Sequence, residues 1–179
     1  GIYLVGAATK ISSANGAVTL TGTGGSGTAT SAIIGEYGIL ADGQALIEST
    51  GTATISMIGV GGNATGGAGQ NRGVGLDNGA VVRSVSGAIS MTGTGSGTGD
   101  GNIGVSIGHG SVVESTSSAP ISITGEGSST GVNNNVGVGI AVSGSSAPRV
   151  SSLGSGAITI DGTGGAGSGA NNIGVEISD

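Results

Sequence analysis

Apolar residues alternate with small or polar residues in short stretches that recur along the whole chain. In one copy the stretches lie at 73–76, 82–84 and 89–93, and a loop rich in Gly, Ser, Thr and Asn follows. A period of two residues is typical of a β-strand with one buried face, whereas an amphipathic helix would show a period near 3.6. The pattern therefore predicts an all-β protein with three short strands in each copy.

The same three stretches return in the same order, so the chain is an internal repeat. The glycine that opens the first stretch recurs at spacings of 37, 35, 31, 33 and 37 residues. Repeats of this length stack on one another, and like strands then pair in parallel. We expect one parallel β-helix, or solenoid, over 1–179, with about five coils of 31–37 residues. The coils start near residues 1, 38, 73, 104 and 137, and a sixth begins at 174.

Alignment of the copies separates inward from outward positions. Each stretch supplies columns of aliphatic residues for the core. In the first stretch, one inward column is Ile2, Ile39, Val74, Val105, Val138 and Val175. The residues that follow these should face outward and vary freely: Tyr3, Leu40, Gly75, Ser106, Gly139 and Glu176.

Three polar columns predict contacts between coils. An unbroken serine column should bond along the stack or to a turn backbone; its members are Ser13, Ser49, Ser84, Ser115 and Ser152. Opposite charges at Glu48, Arg83 and Glu114 should pair across neighbouring strands. An asparagine stack, interrupted by Glu36, should line the corner from which the loops protrude, such as 24–36 and 61–70; it comprises Asn71, Asn102, Asn135 and Asn172.

The amino-acid composition excludes some classes of binding partner. Aromatic residues are 1% of the chain, Phe, Trp and Cys are absent, and the net charge is -6. The four basic residues are too dispersed to track a phosphate backbone, so we expect no nucleic-acid partner; they are Lys10, Arg72, Arg83 and Arg149. No apolar run approaches the roughly 18 residues of a membrane span. The chain opens and closes within repeats and lacks an initiator Met, so we expect a processed product or a segment of a longer protein.

Several motifs resemble catalytic or binding sequences, and the repeat explains each of them. Residues 104–108 match the nucleophile-elbow pattern and precede His109, but Ser106 belongs to the variable outward column. Residues 22–27 and 162–167 fit GxGxxG without a following helix, so these glycines should form turns. We therefore expect no enzyme, no catalytic or metal residues and no cofactor. Two weaker alternatives are a cation held by Asp42 and Asp77 and a glycan at the sequon 63–65.

Residues 87–95 (GAISMTGTG) and 156–164 (GAITIDGTG) carry the clearest family resemblance. They resemble the repeats of very large bacterial surface proteins of the filamentous-haemagglutinin-like and autotransporter-passenger adhesin type. The resemblance covers all five repeats and rests on composition and period. It implies an extracellular or cell-surface β-helical stalk or fibre, with cell-surface or carbohydrate ligands as potential partners.

Three functions remain open, with a structural or adhesive fibre segment first. Five coils at about 4.8 Å each would stand only about 24 Å tall, with uncapped strand edges at both ends. We expect copies to associate end to end or the coils to continue in a longer chain. The first alternative is an ice-binding β-helix, with Ile58 and Asp161 interrupting an outward hydroxyl array of Thr19, Thr21, Ser90, Thr92, Ser122 and Thr124. The second is a carbohydrate-active β-helix, although the acidic residues are scattered.

Overall fold

The computed structural model describes residues 1–27, 35–63, 70–141 and 146–179. These residues form short strands of three to six residues, and none of them lies in a helix. The strands are β1 (Ile2–Val5), β2 (Lys10–Ser13), β3 (Val18–Thr23), β4 (Ile39–Asp42), β5 (Leu46–Ser49), β6 (Ile55–Val60), β7 (Val74–Leu76), β8 (Val81–Ser84), β9 (Ile89–Thr94), β10 (Val105–Gly108), β11 (Val112–Ser115), β12 (Ile121–Glu126), β13 (Val138–Ala141), β14 (Arg149–Ser152), β15 (Ile158–Thr163) and β16 (Val175–Ser178).

The strands form three parallel sheets that run through the stack of coils. The first sheet has the order β1-β4-β7-β10-β13-β16, the second β2-β5-β8-β11-β14 and the third β3-β6-β9-β12-β15. Each strand pairs with its equivalent one coil away. The predicted parallel β-helix with three strands per coil is therefore confirmed.

The strand register places each aliphatic column in line along the stack. Val105 lies opposite Val74 on one side and Val138 on the other. Met91 lies between Met57 and Ile123 in the third sheet. Full burial of a Val or Ile side chain stabilises a fold by about 1.5–3 kcal/mol, so these columns supply most of the driving force. The fully buried core includes Ile39, Ile47, Ile55, Met57, Leu76, Ile89, Met91, Ile107, Ile121 and Ile123.

Two glycine columns meet where the third strand of each coil passes the start of the first strand. A Cβ added at Gly93 would lie 2.1 Å from the carbonyl oxygen of Gly104. A Cβ added at Gly104 would lie 2.3 Å from the amide nitrogen of Glu126. Because no side chain fits in this backbone approach, the repeat keeps glycine at both positions. The positions equivalent to Gly93 are Gly22, Gly59, Gly125 and Gly162.

The asparagine stack forms at this corner, as predicted. The side-chain amide of Asn71 donates to Asn102 Oδ1, that of Asn102 to Asn135 Oδ1 and that of Asn135 to Asn172 Oδ1, each at 3.1 Å. The Asn71, Asn102 and Asn135 side chains are fully buried. At Glu36 the side-chain stack stops, and the Glu36 backbone N–H donates to Asn71 Oδ1 instead. Parts of the predicted loops at 24–36 and 61–70 lie outside the described residues.

The serine column bonds to turn backbones, which was one of its two predicted modes. Ser84 Oγ donates to the carbonyl oxygen of Gly87 at 2.6 Å, and Ser13 Oγ donates to that of Gly16 at 2.5 Å. Ser13, Ser49, Ser84 and Ser115 each bond to the turn that follows their own strand, whereas Ser152 bonds to the Ser117 carbonyl oxygen of the neighbouring coil.

The predicted charge pairing is correct for one pair and wrong for the other. Arg83 Nη2 lies 2.9 Å from Glu48 Oε2 in the neighbouring coil. Glu114 lies opposite Arg83 in the sheet, but its carboxylate pairs with Arg149 at 2.7 Å. Arg83 is already paired with Glu48. Glu114 therefore pairs with Arg149, which lies on β14 two residues before the position opposite Glu114.

A tight turn joins the first strand to the second. Asn78 and Gly79 have φ values of 48° and 78°, and the Ala80 amide donates to the Asp77 carbonyl oxygen at 3.1 Å. Two successive positive φ values define a type I′ turn, which favours Asn and Gly. His109 occupies the position of Asn78 one coil later, with a φ of 45°.

Candidate functional site

The outward face of the first sheet is covered by the side chains that precede the opening glycines. Tyr37 packs over Gly75, where an added Cβ would lie 2.9 Å from the tyrosine ring. Arg72 Nη1 donates to Ser106 Oγ at 3.0 Å, and Ser106 is only 9% exposed. This column faces outward, as predicted, but Gly75, Ser106 and Gly139 are buried. A second layer of side chains covers them; in this layer, Ile103 and Val136 lie next to Gly139.

Arg72 connects the two residues that it touches. Its guanidinium carbon lies 5.7 Å from the centroid of the Tyr37 ring, within the range of a cation–π interaction. Its Nε is buried without a hydrogen-bond partner among the described residues. Arg72 therefore depends on the Ser106 hydroxyl and the Tyr37 ring to offset the loss of water.

A groove of about 570 Å³ lies beside this second layer, on the first coils of the stack. Although aromatic residues are 1% of the sequence, both tyrosines of the chain line this groove. Carboxylates, an amide and aliphatic side chains complete it. Its principal lining residues are Tyr3, Tyr37, Leu40, Asp42, Asp77 and Asn78.

The two aspartates lie at equivalent positions of adjacent coils, Asp42 at the end of β4 and Asp77 directly after β7, and both line this groove. Asp42 accepts the Tyr3 hydroxyl at 3.1 Å and the Asn78 side-chain amide at 2.8 Å. Asp77 Oδ1 accepts the Asn78 backbone N–H at 3.0 Å and contacts His109 Nδ1. Protein donors thus hold both carboxylates in place, and a cation at Asp42 and Asp77 stays a prediction. Within the described ranges, no cluster of three or more His, Cys, Asp or Glu side chains is suited to a metal ion.

The same carboxylates influence the two phenols. Burial raises the pKa of Tyr37; Arg72 opposes this shift, and the charges of Asp77 and Asp42 add to it. Desolvation and the hydrogen bond to Asp42 raise the pKa of Tyr3. Both tyrosines are therefore neutral at neutral pH, and the Tyr3 hydroxyl donates to Asp42.

The elbow-like sequence 104–108 does not form a nucleophile elbow. Ser106 lies within β10, and β10 leads through a tight turn into β11 and not into a helix. The Ser106 hydroxyl bonds to Arg72, whereas His109 bonds to Asp77. The structure thus directs the serine and the histidine to different partners.

The glycine-rich motifs belong to the corner where the loops begin. Gly22 and Gly162 are the close-approach glycines of β3 and β15. The described residues after each motif include no helix that could hold a phosphate, as expected for turn glycines. In the sequon at 63–65, Ala64 and Thr65 lie outside the described residues.

Glu48 is the most strongly perturbed acid of the described chain. Its carboxylate contacts Lys10 at 2.6 Å and Arg83 at 2.9 Å, and it also accepts the Ser12 hydroxyl. The bonds to Lys10 and Arg83 lower the pKa of Glu48 to about 2, against the opposing effect of burial. The side chain is 6% exposed, so this network joins the first three coils at a buried carboxylate.

The outward face of the third sheet carries the predicted hydroxyl array. One column is unbroken along five coils and consists of Thr19, Ser56, Ser90, Ser122 and Thr159. In the next column the exposed Ile58 and Asp161 interrupt the threonines, as expected. A third column adds Val60 and Glu126 as further interruptions.

The ends of the stack expose parts of the apolar columns. At one end Ile177 is 69% exposed and Ile158 is 42% exposed. At the other end Ile2, Leu4, Ile11 and Leu20 are only partly buried. The outermost strands of all three sheets also have one unpaired edge.

Comparison with known protein families, curated proteins and solved structures gave no match. None of the described residues forms a helix long and apolar enough to cross a membrane. The function therefore has to be argued from the geometry of this chain.

The sequence interpretation missed the tyrosine groove. A signal was present in the column before each opening glycine, which is bulky in every coil: Tyr37, Arg72, Ile103, Val136 and Ile173. Regular placement of large side chains beside an outward column that contains two glycines indicates a covering layer. Asp42 and Asp77 do occupy equivalent positions in adjacent coils, but their partners come from elsewhere: Tyr3 from the outward column of β1, and Asn78 and His109 from turns.

Proposed function

We propose that this chain is a non-catalytic structural or adhesive segment of an extracellular β-helical fibre. The observation that carries the proposal is the exposure of core columns and strand edges at both ends of the stack. Exposed parallel edges over an apolar core are a template for further strands. The fibre then grows along the stacking axis, and its sides present the surfaces that contact other molecules.

Composition and side-chain chemistry support a solvent-facing fibre. Hydroxyls, amides and backbone groups cover the sides, while charged residues are only 8% of the chain. Backbone hydrogen bonds, the asparagine stack and the serine-fixed turns all repeat from coil to coil. Such repeated nearest-neighbour contacts stabilise a stack of any length. The resemblance to bacterial surface repeats implies an extracellular setting, and the proposal adopts that setting.

Sedimentation velocity over a range of concentrations tests whether the ends associate. We expect wild-type protein to form elongated oligomers as concentration rises, because association buries the apolar end faces. Ile177→Lys places a charge on one end face and should suppress the oligomers. Val85→Lys places the same charge at an exposed valine on the side of the stack and should leave them intact. Equal behaviour of the two variants, or a monomeric wild type at every concentration, would contradict the proposal.

Ice binding is a second candidate because the third sheet presents the unbroken hydroxyl column. Neighbouring members of this column are one strand apart, about 4.8 Å. A thermal-hysteresis assay separates the two functions. If the chain binds ice, wild-type protein should show a gap between the melting and freezing temperatures. Ser90→Lys should abolish this gap, whereas Ser12→Lys, on the second sheet, should preserve it. Absence of the gap in wild-type protein rejects ice binding.

A further inference from the structure

The groove described above combines features that select a particular ligand chemistry. Two carboxylates and two tyrosines converge on one cavity in a chain with few charges and few aromatics. We propose that this groove binds a protonated primary amine carried on a short aliphatic stem. The proposal goes beyond the proposed function and concerns the outward side of the first coils, where Ile2 and Tyr3 of the terminal strand β1 are among the groove walls.

Hydrogen-bonding capacity favours a ligand that only donates. A carboxylate oxygen has two lone pairs, and each Asp42 oxygen uses one for Tyr3 or Asn78. Asp77 Oδ2 accepts no hydrogen bond from the described residues, since His109 and the Asn78 backbone both use Oδ1. An ammonium group has three donors and no acceptor, so it matches this surplus of acceptors. A saccharide hydroxyl also needs donors, which the groove provides sparingly.

The charges that line the groove also favour a cationic ligand. Asp42 and Asp77 line the groove, and no Lys, Arg or His is among its described lining residues. Arg72 lies against Tyr37 but directs its Nη1 to Ser106, and His109 is engaged by Asp77. The net charge of -6 adds a general attraction for cations, which salt screens.

The remaining walls accommodate the stem. Leu40 and Ile2 provide aliphatic surface, and the tyrosine rings provide amphipathic surface that accepts both a methylene chain and a cation. The groove volume of about 570 Å³ is ample for a small amine of this kind. The structure thus assigns the ammonium to the carboxylates and the stem to Leu40, Ile2 and the rings.

Tyrosine fluorescence tests the proposal directly, because the chain has no Trp and both tyrosines line the groove. We expect butylammonium chloride to change the emission saturably, with a dissociation constant in the millimolar range. Butanol, which has the same stem without the charge, and maltose should bind at least about tenfold more weakly. Sodium chloride is used to match ionic strength between the titrations.

Charge-neutral variants locate the site. Asp42→Asn and Asp77→Asn should each weaken butylammonium binding about fivefold or more, the effect of roughly 1 kcal/mol. Asp161→Asn removes the same charge from the third sheet and should change binding by less than about twofold. Higher salt should also weaken binding to wild-type protein, which provides a test that needs no variant. A saturable response to butanol or maltose as strong as that to butylammonium, no response to butylammonium, or equal effects of all three variants would overturn the proposal.

Discussion

Buried asparagine side chains, one in each of several successive coils, connect neighbouring coils by hydrogen bonds. Asn102 donates to Asn135 and to the carbonyl oxygens of Gly97 and Gly99, and its own carbonyl accepts two hydrogen bonds from Asn71. Loss of one partner leaves other buried polar groups unsatisfied, which is more costly than loss of an exposed bond. The asparagine column therefore has a structural reason to persist in each coil.

Asn102→Ala should lower the free energy of unfolding by about 3 kcal/mol, because several buried groups lose their partners at once. Asn15→Ala is the matched control, since Asn15 is exposed and accepts one bond from Thr52. The control should change stability by less than about 0.5 kcal/mol. Urea denaturation followed by circular dichroism measures both values, and equal losses would refute the importance of the buried stack.

Because the pKa of Glu48 is lowered in the folded protein, we expect the free energy of unfolding to depend on pH. This pKa falls from 4.5 to about 2 in the folded protein, so the ion pairs of Glu48 stabilise the fold fully above about pH 4.5. This contribution disappears as pH falls towards 2. Glu48→Gln should therefore cost about 1 kcal/mol at pH 7, a value moderated by the exposure of Lys10 and Arg83.

The difference between wild type and Glu48→Gln should shrink between pH 4.5 and pH 2. Urea denaturation at a series of pH values measures it, with Glu126→Gln, an exposed acid of the third sheet, as control. A difference that is unchanged at pH 2, or that is as large for the control, would show that the ion pairs do not stabilise the fold.

At the scale of strands, the approach of two backbones decides which residues the repeat tolerates. Gly93→Ala would bring a methyl group to 2.1 Å from the Gly104 carbonyl oxygen, which requires the third and first strands to separate. We expect a loss of about 2–4 kcal/mol in unfolding free energy. Gly27→Ala, where no described residue lies within 4 Å of an added Cβ, should be nearly neutral. Thermal melting compares them, and a neutral Gly93→Ala would contradict the close approach.

Adjacent positions of β10 should respond differently to substitution. Val105 is fully buried, so Val105→Asp places an unpaired charge in the core and should unfold the local coils. Ser106 accepts a hydrogen bond from Arg72, so Ser106→Ala should lower the free energy of unfolding by about 1 kcal/mol. Hydrogen exchange of the β9–β12 amides reports both effects, and unaltered protection in Val105→Asp would contradict the assigned core.

The repeat made the fold predictable because equivalent positions report the same environment several times. Columns such as the one that contains Val105 indicated which strand residues face inward, that the strands run parallel, and that like strands stack on one another. The bulky column before each opening glycine indicates a covering layer, but it does not specify the groove, since Tyr3 and Tyr37 each occur in one coil only. Side-chain contacts between neighbouring coils, such as Arg72 with Ser106 or Arg149 with Glu114, depend on side-chain rotamers. An alignment of the repeats does not specify these rotamers.

At the scale of the whole molecule, the three sheets leave an apolar interior open at both ends. The first sheet has six strands and the other two have five, so the two end faces are not flat. Residues 174–179 would therefore have to overlap or replace residues 1–5 wherever two copies join in register. End-to-end continuation of the coils is the central claim of the proposed function.

Electron microscopy combined with fibre diffraction of concentrated protein tests this claim most directly. We expect filaments one solenoid wide, whose strands lie perpendicular to the long axis and give an axial reflection near 4.8 Å. The coils on either side of each junction should follow this same spacing. Compact particles of about five coils that stay separate at every concentration, without the axial reflection, would contradict it.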